Sequence, residues 1–422
     1  MHRSQHPTLP SSTEVCIVGA GIVGILCALE LVERGHRVVC LEKDRVGWAQ
    51  SGRNLGWIRQ QGRDPAELPL MVEACRLWKE LGERCGSAAL AFEETGINYL
   101  GLHRSDAQRY ETFAAALEAH GVRPERLDRR RISQLYPLPE QRWRYGLRTP
   151  GDGRVAPAFA APAIANAVLE KGGRIFETCA VRAIDPGGDG RVRIETDLGD
   201  LTAERVVIAS GAGSAGLAAG SAARLPQLCV ESTVTEVFDP SNLWRGSGTD
   251  GVLAFYRTAQ GHVGLSLCKG FVHRVGPQTL RHLGHYARSL RSCLQMARLA
   301  LPRRNVGGDG SDVNPAPSRK VVRDSMSAAR QRGLIGANAR VRRCWAGSID
   351  LLPDFLPVLD TPHAGGSVFV ATGFSGHGFG IAPAVARVVG HWAGDRAQPH
   401  DLSRFRFNRF FDRTPIAQGP TF

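Results

Sequence analysis

Three glycines at fixed spacing carry the first chemistry in this chain. Gly19-Ala20-Gly21-Ile22-Val23-Gly24 follows the short apolar run Glu14–Val18 and leads into a helical stretch to about Arg34. Gly35 then stops the helix, and a second apolar run, Arg37–Leu41, ends at Glu42 with Lys43 beside it. Gly19 permits a tight turn, Gly21 lets the backbone approach a pyrophosphate, and Gly24 lets the helix pack closely on the strand. The helix N-terminus offers free N–H groups and a partial positive charge to phosphates. Glu42 can accept hydrogen bonds from an adenosine ribose and would repel a 2′-phosphate, which disfavours NADP. FAD and NAD both satisfy this unit, and a glycine-rich turn without a ligand is the bland alternative.

Two further stretches bear on the choice. Val46–Pro65, V-G-W-A-Q-S-G-R-N-L-G-W-I-R-Q-Q-G-R-D-P, is irregular where an NAD-binding unit would continue with regular strand–helix alternation. A loop of that length inside a compact domain is usually functional, and its polar groups could wrap a pyrophosphate and a flavin ring. Near the other end, Gly373-Phe374-Ser375-Gly376-His377-Gly378-Phe379-Gly380 separates the apolar run Ser367–Ala371 from a helix to about Gly394. The chain thus begins and ends with strand–glycine–helix units, so the C-terminus is expected to return and complete the first domain.

Between these ends, periodicity predicts helices over Ala66–Gly86, Asp106–His120, Ala156–Gly172 and Gln278–Ala300. Strands are expected at Ile97–Leu102 and Arg174–Thr178, with an antiparallel pair at Arg191–Thr196 and Leu201–Ala209. Ser232–Ser266 alternates as a twisted sheet would, with Gly261 at a hairpin turn. Arg123–Arg131 reads as a solvated connection and Pro302–Ser318 as a basic loop. The sequence shows no internal repeat.

This pattern resembles the D-amino acid oxidase superfamily of FAD-dependent oxidoreductases, which includes sarcosine oxidase, glycine oxidase and bacterial D-amino acid dehydrogenases. The resemblance runs from Glu14 to about Arg409. Its most specific parts are Gly19–Gly24 with Glu42, Ser51–Arg59, Val206–Gly213, Trp345–Asp360 and Thr372–Gly380. It implies an α/β chain, α+β overall. A Rossmann-type FAD-binding domain would be discontinuous over 14–75, 151–220 and 340–410. A smaller antiparallel-sheet substrate domain would use 76–150 and 221–339 as a roof over the flavin, with 1–13 and 411–422 as tails.

Carried across by position, Gly19, Gly21 and Gly24 would hold the pyrophosphate and Glu42 the adenosine ribose, with Lys43 also among the cofactor-binding residues. Ser51, Arg53 and Asn54 would approach the phosphates and flavin, Val181 the adenine, and Gly211 the strand-end turn. Gly376, His377 and Gly378 would lie against the flavin's pyrimidine edge, where the last helix can stabilise negative charge on the reduced ring. In the sarcosine oxidase branch the arginine of an I-I-R motif binds the substrate carboxylate, and Trp57-Ile58-Arg59 is similar. Arg59 is therefore the candidate carboxylate anchor, a guanidinium matching a carboxylate through two parallel hydrogen bonds; a surface salt bridge is the alternative. Tyr256 and Arg257 lie on an expected roof strand, where alternation lets only one of them face substrate. His262, beside a turn glycine, reads as exposed, and His377 as a group that positions through its backbone.

Two departures from the resemblance matter. Gly347 stands where monomeric sarcosine oxidases carry a flavin-joined cysteine, and Cys344 comes three residues early, so the FAD is expected to be non-covalent. Gly380 stands where those enzymes have a second, lysine anchor for the carboxylate.

The implied reaction oxidises the C–N bond of a D-amino acid or N-alkyl amino acid. A neutral amine loses hydride from its α-carbon to flavin N5, and water hydrolyses the resulting imine. Dioxygen, or a quinone or carrier protein, would reoxidise the flavin, the missing lysine favouring dehydrogenase relatives. A non-catalytic flavoprotein or electron-transfer subunit, and an NAD-dependent dehydrogenase, are the rival readings.

Composition bounds these expectations. The 422 residues, 43% hydrophobic and 22% charged, suffice for two domains and exclude wholesale disorder. The excess of 53 Lys+Arg over 40 Asp+Glu, a net charge of +13, favours anionic ligands. No nucleic-acid motif accompanies it. Ten scattered cysteines without a Cys-x-x-Cys pair suggest no metal site, and Cys16, Cys27 and Cys40 fall in apolar runs. No apolar stretch reaches ~20 residues, and Met1–Thr13 lacks a signal peptide's hydrophobic region. A cytoplasmic protein is expected, with peripheral membrane or subunit association left open and the oligomeric state undetermined.

Overall fold

The computed structural model describes residues 8–140, 142–187, 190–218, 225–240, 244–287, 289–301, 314–363 and 365–416, with the side chain of 292 left aside. The expected unit at the N-terminus forms as strand β1 (Ser12–Val18), helix α1 (Ile22–Glu33) and strand β2 (Val38–Leu41), with β1 and β2 parallel. Strand β1 begins at Ser12, within the 1–13 stretch expected to be a tail. On its other side β1 pairs in parallel with Gly199–Ile208, which in turn pairs in parallel with Val368–Thr372. The last strand is therefore two places from the first, and helix Gly378–Ala393 packs against α1. Arg174–Phe176 extends the sheet beyond β2. Val358–Asp360 closes the opposite edge antiparallel, and Val181–Pro186 and Val192–Thr196 form an antiparallel annex, giving eight strands among the described residues. Near-continuous burial of β1 and β2 follows from helices covering one face and the annex and C-terminal segment the other.

Among the described residues the second sheet has ten strands and is antiparallel except where Gly246–Thr249 meets Ile97–Gly101 and Phe271–Arg274 meets Ala297–Ala300. Its long central strand, Leu228–Phe238, pairs on one side with His262–Leu267 and on the other with Arg340–Leu351. Arg340–Leu351 therefore belongs to the second sheet, and the chain returns to the first only beyond Leu351, later than the boundary expected at 340. A two-stranded ribbon, Trp57–Ile58 with Gly153–Arg154, lies apart from both sheets.

Two expected elements differ. Gln278–Ala300 is not one helix: helices Pro277–His282 and Leu290–Met296 flank a turn, and Ala297–Ala300 is a strand. Gly284 interrupts the helical run, and pairing with Phe271–Arg274 recruits its end into the sheet. Arg123–Arg131 is not a free connection, because Leu127 is buried in the edge strand Glu125–Asp128 and Asp128 then caps the next helix through the Arg131 N–H, 2.7 Å away. The loop Pro302–Ser318 falls largely outside the described residues. No described helix is long and apolar enough to cross a membrane.

Candidate functional site

The first turn after β1 has the close contacts its glycines imply. Gly19 adopts a φ of +104°, and a Cβ there would lie 2.6 Å from the Ala209 carbonyl oxygen. A Cβ on Gly24 would lie 1.9 Å from the Gly19 carbonyl oxygen, so only glycine lets α1 sit this near the strand. The first turn of α1 contains no acidic side chain, and its Ile22 N–H donates to Ser51 Oγ at 2.8 Å. Glu42 accepts from the Ala20 and Asp44 N–H groups at 2.8 and 2.9 Å, and burial raises its carboxyl above the ordinary value. Asn54 pins the following loop by donating to the carbonyls of Gln50 and Ser51 and accepting from the Gly56 N–H.

An elongated cavity of about 490 Å³ runs from this turn to the last helix. Gly19, Gly21, Glu42, Lys43, Ser51, Asn54, Val181, Gly211, Gly376 and Gly378 all line it, although they come from three distant parts of the sequence. Gly24 is packed beneath the turn, and Arg53 faces the adjoining cavity instead. Arg53 donates from Nε to the Trp48 carbonyl at 2.8 Å and from Nη1 to the Ala346 carbonyl at 3.0 Å, tying the loop to the second sheet. A phosphate cradle, a half-buried ribose acceptor, and a helix N-terminus at the far end fit an extended dinucleotide such as FAD. At that far end the carbonyl oxygen of Gln50's side chain is buried without a partner, a polar group left for a bound ring to meet. Gly347 backs onto it: a Cβ there would come 2.0 Å from Gln50 Oε1, while the Cys344 side chain is exposed elsewhere.

A second cavity, of about 140 Å³, adjoins the first, and the two share Gln50, Asn54, Ile349, Gly376 and Phe379. Arg59 and His377 line it. Arg59 is 4% exposed; its Nη1 donates to the Gln61 carbonyl at 2.7 Å and to the Tyr99 hydroxyl, and no ion pair holds it among the described residues. It is therefore not the surface salt bridge that was its alternative. His377 caps the last helix, with Nδ1 3.1 Å from Glu67 Oε2. Burial, with the nearby Arg63 charge, pushes His377 down to about 4, so its ring is neutral at pH 7. Burial works against the Glu67 charge, but His377, Arg63 and Arg59 outweigh it and hold the carboxyl below its usual range.

Tyr256 and Arg257 are not brought to either cavity. Their strand neighbour Ala254 lines the smaller one. Tyr256 instead lies against Arg154, whose guanidinium carbon is 4.1 Å from the ring centroid, and its hydroxyl is 3.4 Å from Glu236. Arg257 points to the opposite face and donates to the Asp239 carbonyl. His262, expected to be exposed, is half-buried beside Arg342.

Sequence reasoning missed four groups around the smaller cavity: Arg63, Glu67, Tyr99 and Asp152. Arg63 follows Arg59 by four positions in the quoted loop, across Gly62, whose φ is +67°. A Cβ on Gly62 would crowd the Tyr99 hydroxyl at 2.7 Å and Arg59 Nη1 at 2.9 Å, so R-Q-Q-G-R was a readable signal. Tyr99 had none, because its strand is buried on both faces. Asp152 is fully buried; burial raises its carboxyl to about 7, although Gln60 donates to it from both backbone and side chain. No group of three or more metal-ligating side chains occurs among the described residues.

Comparison with known proteins adds five findings. The family of FAD dependent oxidoreductases, DAO, matches residues 14–392. The beta subunit of sarcosine oxidase from Rhizobium meliloti is 27% identical over 409 residues, covering 94% of this chain and 88% of that protein. Glycine oxidase from Geobacillus kaustophilus is 31% identical over 217 residues, a stretch covering 49% of this chain and 56% of that protein. Among solved structures, the L-amino acid deaminase of Proteus myxofaciens, in complex with anthranilate, superposes with a TM-score of 0.87 at 19% identity, covering 97% and 96% of the two chains. The L-proline dehydrogenase of P. horikoshii gives 0.80 at 21% identity, over 95% and 98%.

Proposed function

The chain belongs to the DAO family of FAD dependent oxidoreductases, and from that premise we propose that its smaller cavity takes a carboxylate-bearing amino acid or N-alkyl amino acid. The enzyme acts on the C–N bond of an amino acid or amine, with non-covalently bound FAD. Membership in this family excludes the NAD reading. When bound, FAD supplies the hydride acceptor for C–N oxidation.

The chain's own groups account for the rest. Gly19, Gly21 and the N-terminus of α1 hold phosphate, Glu42 holds the ribose, and Gly376 to Gly378 present helix N–H groups to the ring. Arg59 would grip the substrate carboxylate and so fix the α-carbon beside the shared wall of the two cavities. Neutral His377 bears no charge that would repel a cationic guanidinium or bind the carboxylate, which leaves anion binding to arginine. No acidic residue is among those lining the smaller cavity, so the amine is bound neutral and no general base is required. We assign 14–75, 151–220 and 352–410 to the cofactor side and 76–150 and 221–351 to the roof, since Arg340–Leu351 pairs along its length with the roof strand Leu228–Phe238.

The observation carrying this reading is the buried Arg59 guanidinium facing a small cavity that shares a wall with the dinucleotide cavity. Anaerobic mixing with D- and L-amino acids and N-alkyl glycines tests it: bleaching of the flavin band by carboxylate-bearing amines alone is expected. Equal bleaching by the decarboxylated amines would overturn it. Rapid return of colour on admitting air would assign dioxygen as acceptor, and return only on adding a quinone would assign a carrier.

A second reading, that the chain works as one subunit of a larger assembly, draws on one observation. Leu280, Leu294 and Leu299, respectively 71%, 51% and 59% exposed, stand on the Gln278–Ala300 segment, and Leu301, 84% exposed, follows it. Sedimentation of the purified chain as a monomer would remove it.

A further inference from the structure

We propose that Arg63 is a second guanidinium that grips the substrate carboxylate, supplying the cation that Gly380 leaves out; the inference rests on the carboxylate reading of the smaller cavity. Arg63 is 7% exposed and lines that cavity but not the dinucleotide one. Its Nε donates to the Arg59 carbonyl at 3.0 Å, which fixes the base of the fork. Its Nη1 is buried with no hydrogen-bond partner, and no carboxylate pairs with it within 4.0 Å among the described residues. A buried guanidinium left in this state is costly unless a ligand completes it.

The surroundings favour an anion. Arg53, Arg59 and Arg63 all line the cavity with no acidic residue among its lining, Glu67 lies beside them with one negative charge, and His377 is neutral. Positive charge is in excess at the wall, which an entering carboxylate offsets. Burial and the Arg59 charge already draw the Arg63 guanidinium down to about 10, the direction expected of a cation awaiting a counter-ion. Position 380, a glycine, contributes no cation, and a Cβ there would sit tightly, 3.3 Å from both Met71 Cε and the Trp57 carbonyl oxygen. The rest of the cavity is largely apolar, with Trp57, Leu267 and Phe271 in its wall. The substrate class is therefore a carboxylate-bearing amino acid with an apolar remainder. Polyamines are disfavoured by the absence of any acid in the lining.

The test titrates the holoenzyme with pyrrole-2-carboxylate and with its uncharged carboxamide, following the perturbation of the flavin absorption band. Arg63→Met is expected to bind the acid about 100-fold more weakly than the wild type, and the carboxamide equally well. Arg63→Lys should recover roughly a tenfold part of that loss, a point charge replacing a fork. Equal affinity of wild type and Arg63→Met for the acid, or an equal loss for acid and carboxamide, would overturn the proposal. If Arg63→Met fails to retain flavin, Arg63→Lys decides: binding of the acid as tight as wild type overturns it, and a tenfold loss supports it. A wild-type enzyme that binds neither probe overturns the carboxylate reading itself, an outcome distinct from loss of Arg63's role alone.

Discussion

Nδ1 of His377 lies 3.1 Å from Oε2 of Glu67, joining the N-termini of two helices 310 residues apart in sequence. Glu67 precedes helix Leu68–Arg84 and His377 precedes helix Gly378–Ala393, so one contact locks the floor of the smaller cavity to the end of the larger. The pair is enclosed, at 1% and 7% side-chain exposure, and two arginines stand nearby. Protonating the imidazole there adds a third positive charge to a site that water does not screen.

Stability should therefore fall on mild acidification. The folded His377 titrates at about 4, below its ordinary 6.5, so between those values the unfolded chain binds more protons and stability is lost as pH drops. Asp152 opposes this slope, since its carboxyl is raised to about 7 and the folded state binds the extra proton. The comparison must be with His377→Gln, which keeps Asp152. Melting temperatures of wild type and variant, taken at pH 7 and pH 5, should show the wild type losing a few °C more than the variant, on the order expected for a domain of this size. Parallel curves would sink the assignment of a neutral, buried imidazole.

Glu42→Gln separates charge from hydrogen bonding at the ribose end. The amide keeps an acceptor for a backbone N–H but loses the negative charge that strengthens each bond. FAD affinity should fall about tenfold, measured by flavin retained after dialysis, while the circular dichroism of the apoprotein is unchanged. Undiminished retention would make Glu42 a loop-pinning group only.

The phosphate turn was legible because its chemistry and its backbone demand coincide: Gly19, Gly21 and Gly24 are forced by contacts within one strand–helix unit. The return of Val368–Thr372 to the same sheet was legible from the second glycine-rich stretch. Tyr256 and Arg257 were misplaced because strand alternation fixes a face but not the position along a strand, and the cavity reaches only as far as Ala254. Arg63 was passed over for a different reason. A resemblance transfers positions that match, and an arginine standing in for a missing lysine at another position has nothing to match. Glu67 and Tyr99 entered through tertiary contacts across 310 and 40 residues, which no local pattern encodes.

Two glycines with severe apparent clashes should behave oppositely. In Gly24→Ala the new methyl meets the Gly19 backbone carbonyl at 1.9 Å, and neither strand nor helix can yield. In Gly347→Ala it meets Gln50 Oε1 at 2.0 Å, the free end of a flexible side chain. Gly24→Ala should lose flavin and about 1–3 kcal/mol of stability. Gly347→Ala should keep the fold, with any change confined to the flavin spectrum as Gln50 turns away. Denaturant midpoints and bound-flavin ratios check both, and similar losses in the two variants would contradict the placement of Gln50.

Arg59→Ala should act on substrate and spare the cofactor. Arg59 lines the smaller cavity but not the dinucleotide cavity, so the contacts expected to hold FAD do not involve it. Its Nη1 bonds to Tyr99 and the Gln61 carbonyl orient the guanidinium, and removing it leaves the Tyr99 hydroxyl buried with one partner fewer. Some stability is lost, but the larger effect should fall on binding, because a carboxylate entering the cavity would lose a charged donor in a desolvated setting. KM for carboxylate substrates should rise about 100-fold, with flavin content unchanged. The fall in kcat should be smaller, since the grip is made in the ground state and kept through reaction. A loss confined to kcat would move Arg59 from substrate binding to stabilising charge that develops during the reaction, and unchanged kinetics would exclude it from the site.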